Sequence, residues 1–194
     1  MRPELEKAVE TLLKGGVVAF PTDTVWGVLV RPDDPAAVER VYAMKGRPKS
    51  QPLQLLVADL EAATGLLPKD YRDPRFFALA ERFWPGPLTL VVPAGRPFPA
   101  IGARERVGLR IPNHPELQSL LRALGGFLAA TSLNPSGAPP VQSAEEAARF
   151  PVDHLVLGTP GAGRASSVVD LVEGRILRAD AIPETELLPY LEPA

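Results

Sequence analysis

Apolar positions along this chain follow two alternating rhythms. From Glu4 to Lys14, residues Leu5, Val9, Leu12 and Leu13 recur at helical spacing, and Gly15–Gly16 supplies a stop, so an amphipathic helix is predicted there. Continuous apolar runs at Val17–Phe20 and Val25–Val30 predict two buried strands around a turn of Pro21, Thr22, Asp23 and Thr24. Asp34 before Pro35 marks a capped helix running to about Met44. "PLQLLV", "PLTLVV", "VGLRIP", "FLAATS", "DHLVLG", "SVVDLV" and "RILR" read as strands. Short helices are predicted after Asp59, after Asp73, from Pro115 to Leu124, across "SAEEAARF" with Ser143 and Glu146 as a capping box, and at the C-terminal end. Helices and strands interleave, yet several strands follow one another through turns alone. That pattern predicts an α/β fold with a twisted, mixed, open sheet flanked by helices.

The chain has 194 residues, 45% hydrophobic and 23% charged, which fits one domain over 1–194 with a sizeable core. No repeat or low-complexity linker divides it. The longest unpatterned stretches, Pro93 to Arg106 and Asn134 to Gln142, read as site loops. Cysteine is absent, which removes disulfides, thiolate zinc sites and thiol nucleophiles and suits a reducing, cytoplasmic location. The first residues have no signal-peptide pattern, and no apolar run reaches membrane-spanning length. A net charge of −2 argues against a dedicated nucleic-acid surface, so any anion site must be a local cluster.

Five segments could carry chemistry. The Thr22–Asp23–Thr24 turn either bonds its own backbone or forms a polar cradle at a strand end. "MKGRPKSQP" concentrates Lys45, Arg47 and Lys49 beyond a helix. They are either solvated cations at a helix C-terminus or a phosphate grip in which Lys45 and Arg47, two apart in an extended segment, point the same way. In "RERVGLRIP", Arg106, Gly108 and Arg110 alternate with apolar residues, which puts the arginines on one strand face. "AATSLNPSG" ends a small-residue strand in Thr131, Ser132 and Asn134. "GTPGAGRASSVVD" has glycines near phosphate-loop spacing, but Arg164 replaces the lysine and β-branched residues follow, so a phosphate-binding P-loop is rejected for a flexible Gly-rich lid with Ser166 and Ser167 at its base. The two histidines, His114 and His154, read as structural, and neither a Ser/His/Asp arrangement nor metal-ligand spacing is visible.

Taken in order, "FPTDTVWGV", "KGRPKSQPL", "FWPGPLTLVV", "VGLRIPNHP", "AATSLNPSG", "SSVVD" and "ILR" resemble the YrdC-like family of threonylcarbamoyl-AMP synthases, from Gly16 to about Arg178. The resemblance implies a concave, positive cleft and an enzyme joining L-threonine, bicarbonate or CO2, and ATP into threonylcarbamoyl-AMP and pyrophosphate. It also implies a downstream tRNA threonylcarbamoyl-transferase complex as consumer, weak tRNA or RNA binding, and Mg²⁺ carried by the ATP phosphates, with no resident metal. Position by position, it implies a catalytic grip by Lys45 and Arg47, threonine contacts at Thr24, Arg110, Ser132 and Ser166, and ATP contacts at Arg47, Gln51, Arg106, Asn134, Gln142 and Arg178. Departures are Leu133 for a small residue, Trp26 for Tyr, Leu56 where some relatives place a histidine, and Asp180 for Gly. Leu133 and Leu56 bear on the shape of the threonine pocket. The chain also matches the family's short form, without the second domain of longer relatives. A non-catalytic RNA-binding module is the competing class, disfavoured by the negative net charge and the lack of an aromatic stacking platform.

Overall fold

The structure is a computed structural model and describes residues 1–192. In chain order its elements are α1 (Pro3–Leu13), β1 (Val18–Pro21), β2 (Trp26–Val30), α2 (Pro35–Lys45), β3 (Gln54–Val57), α3 (Leu60–Gly65), α4 (Pro74–Phe83), β4 (Leu88–Pro93), β5 (Arg106–Arg110), α5 (Pro115–Ala123), β6 (Phe127–Ser132), α6 (Ala144–Ala147), β7 (His154–Leu155), β8 (Ser167–Asp170), β9 (Arg175–Arg178) and α7 (Glu184–Leu187). All nine strands join one sheet in the order β7-β1-β2-β6-β3-β5-β4-β8-β9. Pairings are mixed: β3 with β5 and β4 with β8 are parallel, whereas β2–β6, β3–β6 and β4–β5 are antiparallel. The α/β architecture read from the sequence is therefore the one observed.

The pleat sorts each strand between two environments. Alternate residues such as Val28, Leu55, Leu90 and Leu109 face the larger core, which α2, α3 and α4 cover through Val38, Val41, Ala63, Phe76 and Leu79. The opposite face is covered only in part. There α1 and α5 bury Leu5, Leu12, Leu117 and Leu120 against Val18, Phe20, Leu29, Leu56 and Leu128, all on β1, β2, β3 and β6. The same face of β5, β4, β8 and β9 has no helix over it, and that bare strip is the floor of a cleft.

Five expectations change. The strand over "DHLVLG" shrinks to β7, which pairs with β1 only at Val18 and Ala19, and Leu157 N–H donates to the Glu4 carboxylate. The helix over "SAEEAARF" shortens to α6 and the C-terminal helix to α7, with Pro189 inside the 3-10 turn Leu188–Tyr190 that follows. Pro93 to Arg106 is more ordered than an open loop, although its Ala103 and Arg106 line the cleft. It folds around a 3-10 turn, Pro99–Ile101, whose Phe98 and Ile101 are buried and whose Ile101 carbonyl accepts from Leu53 N. The capping box is one-sided: Ser143 Oγ accepts from Glu146 N–H, but the Glu146 carboxylate accepts from Gln142 N–H.

Aspartates Asp34, Asp59 and Asp73 cap α2, α3 and α4 as the sequence suggests. The cap of α5 is a histidine: His114 Nδ1 accepts from Leu117 N–H at 3.2 Å, and the ring meets Phe20 edge-on. The acceptor role requires an unprotonated Nδ1. Burial pushes the imidazole pKa down, with Asp23 and then Glu116 pulling it back up. A lowered folded pKa means that the unfolded chain takes the proton first as pH falls, so stability is full above the unfolded value of about 6.5 and declines below it. Urea midpoints measured at about pH 7.5 and about pH 5.5 should therefore fall for the wild type, and fall less for His114→Asn, whose amide caps without titrating.

Candidate active site

The cleft has a volume of about 590 Å³. Its charged lining consists of five arginines (Arg47, Arg106, Arg110, Arg175 and Arg178) against two carboxylates, Asp170 and Glu173, so it is cationic inside a net-negative chain. β5 explains two of them: Arg106 and Arg110, with Gly108 between, face the cleft while Val107 and Leu109 enter the core, as the alternation predicts.

At one end stands the β1–β2 turn. Arg110 is 3% exposed, and its Nη1 donates to both carboxylate oxygens of Asp23 at 2.9 and 3.1 Å. Asp23 also accepts from Asn113 N–H, so the turn, β5 and the approach to α5 are tied together. Arg110 Nη2 lies 3.4 Å from Thr24 Oγ1, and its buried Nε has no partner among the described residues. Thr22 and Thr24 hydroxyls meet at 3.1 Å, and Thr22 Oγ1 donates to Val25 O. Ser132 reaches the same wall from β6, opposite Gly27 on β2.

Across the floor run Gln54, Thr89 and Ser166, ending at Arg178. Arg178 is open to the cleft but walled by protein. Burial lowers its pKa most, Asp180 opposes this, and the like charges of Arg47 and Arg110 lower it further. A register shift between Val168 and Val169 on β8 makes a bulge in β9 that brings both Leu177 and Arg178 to the cleft. Arg106 is held by Asp170 at 3.1 Å and Glu173 at 3.3 Å, and Arg175 by Glu173 at 2.8 Å. Among the described residues Arg47 has neutral partners, the carbonyls of Gln51 and Pro52 and the neighbouring Tyr42 hydroxyl.

The sequence-predicted residues divide into two groups. Thr24, Arg47, Arg106, Arg110, Ser132, Ser166 and Arg178 line the cleft together. Lys45, Gln51, Asn134 and Gln142 do not. Lys45 and Arg47 do not point the same way: α2 continues to Lys45 and ends at Gly46 in the left-handed region, φ 60°, which turns Lys45 inward. Its ammonium donates to the carbonyls of Ser132 and Asn134 and to Asn134 Oδ1, at 2.5, 2.8 and 2.8 Å. Burial and the neighbouring Arg47 bring its pKa down to about 8. Gln51 is exposed and offers its carbonyl to Tyr42 and Arg47. Gln142 is exposed on the Asn134–Gln142 loop, which lies outside the cleft lining. Leu133 packs in the large core rather than in the pocket, as does Trp26, whereas Leu56 does line the cleft.

The Gly-rich segment runs into β8, not a helix, in agreement with the rejection of a P-loop. It is no loose lid, however. Gly161 N–H donates to Thr22 O and Gly163 N–H to Thr24 O, and a Cβ at Gly161 would come 1.7 Å from Asp23 O. Ser167 faces away from the cleft, bonded to Asp180 and Ile182. The sequence reading missed Gln54, Thr89, Asp170, Glu173 and Arg175. The one local signal was Gly108 inside a strand, which marks a close approach.

The family model described as "Telomere recombination", the Sua5/YciO/YrdC model, matches residues 10–179. The chain belongs to this family. The threonylcarbamoyl-AMP synthase of Saccharophagus degradans is 35% identical over 91% of this chain and 95% of its own length. That of Halorhodospira halophila is 37% identical over 88% and 92%. Among solved structures, P. abyssi Sua5, complexed with L-threonine, superposes with a TM-score of 0.86 at 34% identity, covering 96% of this chain and 56% of that one. E. coli YciO gives 0.83 at 26% identity, covering 95% and 92%.

Replacing the inward lysine tests its structural share. Lys45→Met removes the donor to three oxygens and should cost about 2 kcal/mol, lowering the melting temperature by about 4–8 °C, as read by calorimetry. An unchanged melting temperature would mean that the lysine does not organise the Ser132–Asn134 turn.

Proposed function

We propose that this chain is a threonylcarbamoyl-AMP synthase: an ATP-using nucleotidyltransferase that joins L-threonine, bicarbonate and ATP and releases pyrophosphate. The observation that carries the reading is the split among the cleft arginines. Arg110 is buried beside threonine hydroxyls and Asp23. Arg47 and Arg178 hydrogen-bond to neutral acceptors and have no paired carboxylate among the described residues, with Asp180 acting on Arg178 only from a distance. The named relatives, alike over nearly their whole length, supply the chemistry such a cleft would perform.

In this reading the amino acid's carboxylate pairs with the Nε–Nη2 edge of Arg110, the side of the fork that Asp23 leaves unpaired. Thr24 and Ser132 face its hydroxyl and amine, and Ser166 stands at the border with the nucleotide. The polyphosphate lies between Arg47 and Arg178, with Arg106 at the outer rim. Threonine's amine and bicarbonate give the carbamate and water. A carbamate oxygen attacks the α-phosphorus of ATP, the bond to the β-phosphate oxygen breaks, and pyrophosphate leaves. Positioning and charge neutralisation carry such a transfer. Mg²⁺ enters with the nucleotide, since the cleft's two carboxylates are both engaged by arginines. Lys45, Asn134, Gln51 and Gln142 act from outside the cleft lining, Lys45 and Asn134 by fixing the turn that carries Ser132.

The product is an activated acyl adenylate, which fits transfer to tRNA by a separate threonylcarbamoyl-transferase complex. RNA contact is secondary in this reading, because the cationic residues converge on a concavity of small-molecule size. Among the described residues no helix is long and apolar enough to cross a membrane.

Mass spectrometry of a mixture of ATP, bicarbonate, threonine and the protein should show the threonylcarbamoyl adenylate. Arg47→Gln and Arg110→Gln should each cut threonine-dependent pyrophosphate release by about 10²-fold or more, with the melting temperature of Arg47→Gln unchanged. Full activity in both variants would overturn the assignment.

A further inference from the structure

A row of neutral polar groups crosses the cleft floor from Arg178 on β9 to Gln54 on β3. Thr89 Oγ1 donates to Gln54 Oε1 at 2.6 Å and meets Ser166 Oγ at 3.0 Å. Arg178 donates to the same Ser166 through Nη2 at 3.3 Å and to its carbonyl through Nε at 2.8 Å. The direction of this row follows from its end. A guanidinium only donates. Ser166 therefore accepts from Arg178 and passes its own proton to Thr89, and Thr89 passes its proton to Gln54 Oε1. The Gln54 amide is thus oriented with its NH2 group outward. Those two N–H bonds have no partner among the described residues, and Gln54 lines the cleft. Bonds aligned head to tail from a cation polarise one another, which makes this amide a stronger donor than a free one.

The row exists because β5 steps aside. Gln54 is on β3 and Thr89 on β4, with β5 between them. Gly108 lies under their contact, and a Cβ there would come 3.2 Å from Thr89 Cγ2 and 3.5 Å from Gln54 Cβ. Any side chain at position 108 would stand where the two polar groups meet.

We infer that the Gln54 amide, aligned by Thr89, Ser166 and Arg178, is the binding group for the one-carbon oxyanion of the reaction, first as bicarbonate and then as the carbamate carboxylate. The inference rests on the proposed synthase activity. Place supports it: the amide lies on the cleft floor on β3, next to the strand β5 that carries Arg110, and it ends the row that starts at Arg178. Chemistry supports it too. The group must hold a singly charged carboxylate yet leave one oxygen free to attack phosphorus. Neutral N–H donors do this with less ground-state trapping than a guanidinium fork would impose.

The test is pyrophosphate release in degassed buffer with bicarbonate varied at saturating threonine and MgATP. Gln54→Leu should raise the KM for bicarbonate about tenfold, the loss of one hydrogen bond to an anion, while the KM values for threonine and ATP stay within about twofold. Thr89→Val should raise the bicarbonate KM in the same selective way, and Thr89→Ser, which keeps the hydroxyl, should restore it. A bicarbonate KM unchanged in Gln54→Leu, or one that rises equally with the other two, would overturn the inference while leaving the synthase activity standing. A wild-type protein that releases no pyrophosphate from the three substrates would overturn both.

Discussion

A guanidinium buried to the extent of Arg110 needs a counter-charge, because an isolated buried ion carries a desolvation cost that nothing else in the cleft offsets. Asp23 supplies it, and much of the site follows from where Asp23 has to be. Its carboxylate reaches Arg110 Nη1 only if the β1–β2 connection folds as a tight polar turn. The two threonines of that turn hold it shut through their hydroxyls and the Val25 carbonyl. The same carboxylate takes the Asn113 N–H and so draws in the residues leading to α5. The polar turn at the mouth of an apolar core is thus the counterion frame of an arginine. The frame occupies Nη1 and leaves the Nε–Nη2 side without a charged partner.

The cleft itself is a consequence of unequal covering. A sheet this wide has two faces to bury, and α2, α3 and α4 bury one of them along most of its width. On the other face α1 and α5 reach only β1, β2, β3 and β6. Strands β5, β4, β8 and β9 must then carry residues that tolerate water on the open side, and they carry arginines, Thr89 and Asp170. The arginines are of two kinds. Arg106, Arg110 and Arg175 have internal carboxylates, which fix their geometry and discount their charge. Arg47 and Arg178 have carbonyl and hydroxyl partners, which fix geometry without pairing the charge, although Asp180 offsets part of that of Arg178. The strongest pull on a polyanion is therefore between the second pair.

What could be read from the sequence was whatever depends on one segment at a time. Arg106 and Arg110 share a face because a strand has a period of two, and Asp34, Asp59 and Asp73 cap helices because the cap is local. Ser167, assigned to the base of a lid, turns to the far face for the same reason of period: its neighbour Ser166 takes the cleft side. Lys45 was misread by a single residue of helix. Had α2 stopped at Met44, an extended Lys45 would have flanked Arg47, whereas a helix ending at Gly46 sends it to the Ser132–Asn134 carbonyls. Gln54, Thr89, Asp170 and Glu173 were out of reach because their partners are set by register. Gln54 meets Thr89 only when β3, β5 and β4 lie in that order with a glycine between.

The Gly-rich segment shows how the same frame extends to a loop. Its spacing resembles a phosphate cradle, but its N–H groups at Gly161 and Gly163 point at the carbonyls of Thr22 and Thr24. Glycine is required at position 161 for contact rather than for anion binding, since a Cβ there would overlap the Asp23 carbonyl. The loop and the turn therefore behave as one layer, and the turn is already fixed by Arg110. Beyond the loop, the chain enters the cleft floor at Ser166, whose hydroxyl and carbonyl hold Arg178. Hydrogen bonds from turn to loop and from Ser166 to Arg178 thus tie the frame of Arg110 at one end of the cleft to Arg178 at the other through the chain between Gly161 and Ser166. Both ends of the cleft are positioned by the short stretch of chain that joins them.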